Sequence, residues 1–165
     1  MSDTQPAQSA DSAETAVQLT VNGQYVKDLS FEVPNAPMIF SELSKAAPEI
    51  PIGVDIEAQQ IGERSFEVVL KINIEAKISG KTAFIAELSY GGIFTVGGIA
   101  PEHLQPMLLI ECPRLLFPFA RNIIADMTRD GGFPPLMMQP IDFVALFRQR
   151  MAQGDNGGGE SHATA

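Results

Sequence analysis

The sequence predicts an α+β fold, in which helices cover one face of an antiparallel sheet. Up to Tyr90, four segments alternate apolar and polar residues, as strands with one buried face do. After Pro101 the apolar residues instead recur every three or four positions, as in amphipathic helices. Strands that precede helices in chain order are typical of α+β domains. We therefore expect a four-stranded antiparallel sheet with a long helix and a short C-terminal helix packed on one face.

The four predicted strands differ in how regular their alternation is. They lie at residues 25–33, 52–58, 65–77 and 81–90. In the first, Tyr25, Leu29 and Phe31 share the apolar parity and Lys27 interrupts it. The third is the most regular, with six apolar residues on one face and mostly charged residues on the other. The short turn ISGK at 78–81 predicts that the third and fourth strands form a hairpin.

Prolines delimit the predicted long helix. Residues 102–110 suggest a helical turn or two after Pro101, and a strongly amphipathic helix follows over 113–130. Pro113 suits the first turn of that helix, where its missing N–H costs nothing. Pro118 is expected to kink the helix, because its ring collides with the carbonyl four residues earlier.

An apolar, proline-rich loop, GGFPPLMMQPIDF at residues 131–143, follows the long helix. Its two glycines end the helix, and its three prolines exclude both a helix and a central strand. Loops normally lie on the surface, so this one either fills the core of the single chain or forms an apolar surface for other chains. A final helix is predicted over 142–151, with Asp142 as its N-cap.

Composition predicts one folded domain at 17–153 between two polar tails, 1–16 and the Gly-rich, acidic 154–165, which are expected to be disordered. The formal net charge of −9 argues against a nucleic-acid binder, which needs a basic surface. It also argues against binding to anionic membranes. The N-terminal residues lack the pattern of a signal peptide, and no apolar stretch is long enough to span a bilayer. The single cysteine permits no disulfide within the chain. We therefore expect a cytoplasmic protein.

Catalytic and metal-binding patterns are absent from the sequence. Residues 91–98, GGIFTVGG, lack the P-loop lysine and the dinucleotide-binding spacing, and a bent or bulged strand end explains them better. Cys112 lies beside Pro113, but His103 and His162 are the only histidines, so neither a catalytic base nor a metal-ligand set accompanies it. We therefore expect Cys112 to be a packed structural residue, and we expect the protein to have no metal, no cofactor and no enzymatic activity.

Two features exceed what an ordinary small domain needs. Asp28, Glu32, Ile85 and Glu87 share the strand parity that faces away from the helices. Alternation alone favours an ordinary solvated face over a docking patch here. The long helix is apolar over more than half its circumference, which predicts burial by another subunit. Its apolar positions include Leu115, Leu116, Phe117, Phe119, Ile123 and Ile124.

Four segments resemble the SecB family of protein-export chaperones and occur in that family's order. They are YVKDLSFEVPNAP, GGIFTVGGI, CPRLLFPFAR and GFPPLMMQPIDFVALF, within roughly residues 17–151. The resemblance implies a homotetramer, a dimer of dimers, in which the long helices lie between the sheets. It also implies an ATP-independent cytosolic holdase that binds unfolded precursor proteins and delivers them to the motor SecA.

The resemblance also implies three functional surfaces. The SecA-binding residues would be Asp28, Glu32, Ile85 and Glu87. SecA, whose zinc-bearing tail is basic, would also grip the C-terminal region. The client groove would contain Phe133, Leu136, Met138, Phe143 and Phe147, with Phe40 and Leu43 as weaker candidates. The oligomer interface would involve Ala86, Leu88, Tyr90, Leu116, Phe119 and Ile123. Many relatives carry a tryptophan shortly before the proline matching Pro48, whereas this chain contains none.

Two other functions remain open from the sequence alone. A SecB-like chaperone dedicated to a toxin–antitoxin pair would keep the fold and change the client. A small-molecule-binding or acyl-binding α+β protein would use the same apolar loop, although no convergent polar groups are present to orient a ligand.

Overall fold

The computed structural model describes residues 16–156, with side chains up to residue 154, and has the predicted α+β architecture. Its strands are β1 (Gln18–Glu32), β2 (Ile52–Gln60), β3 (Ser65–Ile78) and β4 (Lys81–Gly97). They form one antiparallel sheet in the order β1-β4-β3-β2. The helices cover one face, here called the inner face; the other is the outer face. Most of both predicted tails lies outside the described residues, as does His162, so the disorder of the tails stays a prediction.

The predicted hairpin between β3 and β4 is confirmed. Ser79 and Gly80 at its tip have φ angles of 50° and 78°. A two-residue type I′ turn needs this left-handed conformation at both central positions. The even-numbered residues of β3, from Phe66 to Ala76, are buried on the inner face, as their alternation predicts. β3 and β4 are therefore the two central strands of the sheet.

β1 departs from the simple alternation that the sequence suggests. The register of its pairing with β4 shifts between Val26 and Asp28. Such a β-bulge inserts one extra residue and reverses the parity of the side chains beyond it. Tyr25 consequently lies on the outer face, whereas Leu29 and Phe31 lie on the inner face, and the prediction that these three share a face is wrong.

A single helical run joins the two helical segments that the sequence separates. It comprises α2 (Pro101–Pro106), a π-helical turn (Met107–Glu111) and α3 (Cys112–Asp130). Pro113 therefore lies inside this run rather than where it begins. Its ring would crowd the carbonyl of Leu109 in a regular α-helix, and the wider π-helical turn just before it relieves that conflict.

Two further helices flank the core. α1 (Ile39–Glu42) lies in the connection between β1 and β2, and α4 (Phe143–Asn156) ends the described chain. The N–H of Ala145 donates to Asp142 Oδ1 at 3.0 Å, so Asp142 is the predicted N-cap of α4.

The core lies between the inner face and α3, and glycines in the middle of β4 permit close contacts on both faces. A Cβ on Gly92 would lie 2.8 Å from Leu116 Cδ2 of α3, and one on Gly91 would lie 2.9 Å from the Tyr25 ring on the outer face. Gly91 and Gly92 thus lie well inside a strand rather than at the bent strand end that the sequence suggests. Only glycine leaves room for these approaches.

The end of α3 is packed against β1 at a third glycine. The N–H of Gly131 donates to the carbonyl of Met127 at 2.9 Å, and Gly132 has a left-handed φ of 92°. A Cβ added to Gly131 would overlap the ring of Phe31. The end of the helix is therefore fixed to β1 by contact between a backbone and an aromatic ring.

We expect Gly131→Ala to lower the free energy of unfolding by about 1–3 kcal/mol, the usual cost of overpacking. Gly23→Ala is the matched control, because a Cβ at Gly23 meets nothing within 4 Å. Urea denaturation of both variants at one protein concentration measures the difference. Equal stability of the two variants would contradict the packing described at Gly131.

Candidate functional site

Three phenylalanines surround Phe133 and bring together the segments that form a groove. The ring centroids of Phe84 and Phe40 lie 5.0 and 5.2 Å from that of Phe133, and the Phe31 centroid lies 6.5 Å away. Phe31 also stacks on Phe84, with 5.4 Å between centroids. Phe133 is only 6% exposed. This phenylalanine cluster joins β1, β4, α1 and the loop after α3 into one rigid wall.

Thr128, near the end of α3, holds the proline-rich loop against the phenylalanine cluster. Its hydroxyl lies 2.9 Å from the carbonyl of Ile124 and accepts the N–H of Leu136, also at 2.9 Å. The N–H of Phe133 donates to the Thr128 carbonyl at 3.0 Å. The backbone N–H groups of Phe133 and Leu136 are thereby hydrogen-bonded, although the loop belongs to neither a helix nor a sheet. Its composition explains its irregular path, and Thr128 explains its fixed position.

A groove of about 520 Å³ lies beside this cluster. One wall comes from the connection between α1 and β2, and the other from β4 and the proline-rich loop. The lining residues are Leu43, Ser44, Lys45, Ala46, Ala47, Pro48, Ile50, Phe84, Phe133, Pro134, Pro135 and Leu136. Reciprocal backbone hydrogen bonds of 2.7 and 2.9 Å between Glu49 and Lys77 tie the first wall to β3. Before Pro48 the lining side chains are alanine methyls rather than an aromatic ring.

The seven residues assigned to the client groove do not all meet there. Leu43, Phe133 and Leu136 line the groove, and Phe40 packs against Phe133. The other three lie elsewhere: Met138, Phe143 and Phe147. Met138 and Phe143 are 4% and 2% exposed and belong to the core. The Phe143 ring packs edge-on against Phe117, with 6.1 Å between centroids. Phe147 lines a separate groove of about 390 Å³ between α4 and β2.

The structure places Asp28, Glu32, Ile85 and Glu87 together on the outer face, and they are called the acidic patch below. In the pairing of β1 with β4, Glu32 lies opposite Ile85, and Glu87 is the next outer-face residue along β4. Within residues 16–154, no ion pair joins any of the three carboxylates to a basic side chain. The patch therefore presents unneutralised negative charge around a partly buried isoleucine.

A buried carboxylate lies on the same outer face, and no local pattern in the sequence marks it. Glu67 is 8% exposed. It accepts hydrogen bonds from Lys27 Nζ and Gln59 Nε2, each at 2.7 Å, and from the Tyr25 hydroxyl. These four residues are called the Glu67 cluster. Alternation predicted a core Tyr25 and a solvated Glu67, and only the bulge in β1 brings the two side chains together.

Hydrogen bonds fix the charge state of the Glu67 cluster. The bonds from Lys27 and then Tyr25 hold the pKa of Glu67 below its ordinary value of 4.5, although burial opposes them. Burial and the hydrogen bond to Glu67 raise the pKa of Tyr25 to about 12. At neutral pH the cluster therefore pairs an ionised carboxylate with a neutral phenol and an ammonium group.

Most residues assigned to the oligomer interface are buried within the chain itself. Ala86, Leu88, Tyr90 and Leu116 belong to the core beneath α3, and their assignment to an interface stays a prediction. Phe119 is 51% exposed and stacks on Tyr90 with 6.3 Å between centroids, and Ile123 is partly buried. Further exposed apolar residues lie on α3 and on the inner face of β1: Leu115, Val21, Val26 and Leu29.

Cys112 is fully buried at the start of α3. Burial, and then the neighbouring Glu111 carboxylate, raise the pKa of its thiol to about 12. The thiol is therefore protonated at neutral pH and is not a nucleophile. Within residues 16–156, no helix is both long and apolar enough to cross a membrane.

The chain is similar throughout its length to proteins of one family. The family model described as "Preprotein translocase subunit SecB" matches residues 12–154. The chain is 56% identical over 165 residues to the protein-export protein SecB of Rhodospirillum rubrum, covering 100% of this chain and 99% of that relative. It is 57% identical over 141 residues to the protein of the same name from Paramagnetospirillum magneticum, covering 86% and 90% of the two chains.

A solved structure has the same fold at much lower sequence identity. It is a SecB-like chaperone from Mycobacterium tuberculosis in complex with a peptide from an antitoxin. The TM-score is 0.63 at 14% identity, with 74% of this chain and 90% of that chain covered. At this identity the likeness shows the fold alone.

We expect Glu67→Gln to lower the free energy of unfolding at pH 7 by about 1–3 kcal/mol, because it removes the charge that three donors bind. The pKa of Glu67 is lower in the folded than in the unfolded chain, so this difference is fully present above the ordinary value of 4.5. It is lost as the pH falls through the folded pKa. Urea denaturation of both proteins from pH 3 to pH 7 measures it, and a difference that grows toward acid pH would contradict the assignment.

Proposed function

The chain belongs to the SecB family of protein-export proteins, and from that premise we propose that it is an ATP-independent holdase that binds unfolded precursor proteins in the cytoplasm and delivers them to the motor SecA. The observation that carries the proposal is the apolar groove beside the phenylalanine cluster. Unfolded chains expose apolar side chains, and burial of those side chains in such a groove is favourable without any nucleotide.

The composition of the groove suits clients of many sequences. Its walls are mostly aliphatic and aromatic, and Ser44 and Lys45 are the polar side chains among the lining residues. With few polar groups to satisfy, the groove favours apolar side chains rather than one sequence. Leu43, Ile50 and Leu136 are partly exposed there, so they are available for contact with a client.

We propose that the exposed apolar surface around Phe119 is covered in a homotetramer, a dimer of dimers. Phe119 stacks on Tyr90, which lies opposite the exposed Val26 of β1, so apolar side chains continue from α3 onto β1. Soluble monomers seldom expose contiguous apolar surfaces of this kind. A tetramer would also present several grooves to one long client, and many weak contacts would then add up through avidity.

We propose that the acidic patch binds SecA. Asp28, Glu32 and Glu87 carry charge without basic partners in the described chain, and the whole chain has a formal net charge of −9. Such a surface attracts basic partners over long range and adds specificity to the encounter. Release of the client would then follow from binding of the motor, since the chaperone contributes no ATP hydrolysis.

The alternative of a dedicated toxin–antitoxin chaperone concerns the client rather than the fold. The solved chaperone from Mycobacterium tuberculosis binds an antitoxin peptide. At 14% identity, the likeness does not extend that activity to the present chain. The 56% identity to a protein-export relative over the whole chain favours export instead.

We expect Leu43→Ser combined with Leu136→Ser to weaken client binding about tenfold or more, because each change removes partly exposed apolar area from the groove. Aggregation of a slow-folding precursor without ATP and anisotropy of a labelled unfolded precursor measure the loss. Ile61→Ser is the control, since Ile61 is 49% exposed and lies outside the groove.

Light scattering of the same preparations should give a mass near four times 17.8 kDa. Unchanged client binding in the assembled double variant would exclude the groove as the client site. Dissociation of the double variant into smaller species would mean that Leu43 or Leu136 belongs to the subunit interface instead.

We expect Asp28→Lys combined with Glu87→Lys to weaken SecA binding by at least about tenfold at low ionic strength, and less at high salt. Glu63→Lys with Glu102→Lys is the control: it makes the same change in net charge near the other end of β4 and should have little effect. Calorimetry with purified SecA measures both. SecA binding that survives the first pair would remove the main support for delivery to the motor and favour a chaperone with another role.

A further inference from the structure

The lysines on the outer face pair with carboxylates outside the acidic patch. The three ion pairs join Lys27 to Glu67 at 2.7 Å, Lys71 to Glu57 at 2.5 Å and Lys77 to Glu75 at 3.8 Å. The side chains of all three lysines are at least one third exposed. Because packing does not fix them, the carboxylates within reach determine where their ammonium groups lie. The charges of the outer face are thus divided into a neutralised region and the unpaired acidic patch.

Two lysines lie beside the acidic patch: Lys77, whose partner Glu75 is opposite Ile85 in the pairing of β3 with β4, and Lys27, which precedes Asp28 in β1. The bulge in β1 lies between Val26 and Asp28, and it puts Lys27 and Asp28, two consecutive residues, on the same outer face. A lysine stem is long and flexible, and its ammonium is a compact point charge. If Lys27 lost Glu67, the Asp28 carboxylate next to it would be an available partner, because Glu57, which lines the same cavity as Lys27, is already paired with Lys71.

The Glu67 cluster binds the Lys27 ammonium group through the Glu67 carboxylate. Glu67 is buried and ionised, and it uses Oε1 for Lys27 and Tyr25 and Oε2 for Gln59. Tyr25 extends from β1 across β4 to reach this carboxylate on β3, and it passes over Gly91, where a Cβ would lie 2.9 Å from the ring. Residues from all four strands therefore combine to fix one lysine.

We infer that Glu67, supported by Tyr25 and Gln59, is a positioning residue that holds the Lys27 ammonium away from Asp28 and so keeps the acidic patch unneutralised for its basic partner. The inference rests on the proposed function, because the partner is SecA bound at that patch. Glu67 need not touch SecA. Its contribution is the removal of a competing cation from the docking surface.

Glu67→Gln tests this inference, because it releases Lys27 while keeping the shape of the side chain. We expect the Kd for purified SecA to rise about threefold to tenfold at low ionic strength, the effect of one screened unit charge near the patch, and less at high salt. The double variant Glu67→Gln with Lys27→Gln has the net charge of the natural chain and contains no released cation. It should restore the Kd.

Controls separate this role from a merely structural one. Glu63→Gln removes one exposed carboxylate away from the patch and should change the Kd less than twofold. A loss of fold in Glu67→Gln would reduce client binding and the light-scattering mass as well, and a second substitution would not repair it. Rescue by Lys27→Gln is therefore specific to a released lysine.

Several results would overturn the inference. One is an unchanged Kd in Glu67→Gln, and another is a double variant as weak as the single one. If Glu67→Gln does not fold, Lys27→Gln alone tests the inference. It should alter the Kd for SecA less than twofold. A severalfold lower Kd would mean that Lys27 already neutralises the patch in the natural chain. If Asp28→Lys with Glu87→Lys weakens SecA binding while these variants do not, only this inference fails. If that pair also leaves binding intact, the proposed docking of SecA fails.

Discussion

The packing of Phe133 against Phe31, Phe40 and Phe84 determines where the groove lies. These rings come from β1, α1, β4 and the loop after α3, so segments far apart in the sequence meet at one point. Gly131 allows the contact, because any larger residue there would displace Phe31. Since interiors are densely packed and resist small shifts, the position of Phe133 also fixes the groove wall that its own loop supplies.

A single extra residue in β1 has a comparable effect on the outer face. The bulge after Val26 returns Leu29 and Phe31 to the inner face while Tyr25 remains on the outer face. Without it, the tyrosine would face α3 and Glu67 would lose a donor. The bulge thus serves both faces at once: it completes the phenylalanine cluster on one and the Glu67 cluster on the other.

Local signals in the sequence were sufficient for the individual strands, the hairpin at Ser79–Gly80 and the N-cap at Asp142, because each depends on residues close in the chain. The strand order was not predicted, because β1 pairs with the distant β4. The faces of β1 could not be predicted, since no residue type marks a bulge. Met138 and Leu136 lie two positions apart in one apolar loop, yet one is buried and the other lines the groove. That difference depends on Thr128, which binds the loop backbone from another element. The pairing of Glu67 with Tyr25 spans forty-two positions and is likewise set by the assembled sheet.

Phe84 and Ile85 are consecutive residues of β4, and they point to opposite faces of the sheet. The first lines the groove and the second lies in the acidic patch. The two proposed binding surfaces are thus back to back, separated by the thickness of one strand. Occupation of one surface would therefore leave the other uncovered on the opposite side of the same sheet, so client and motor need not compete for the same residues.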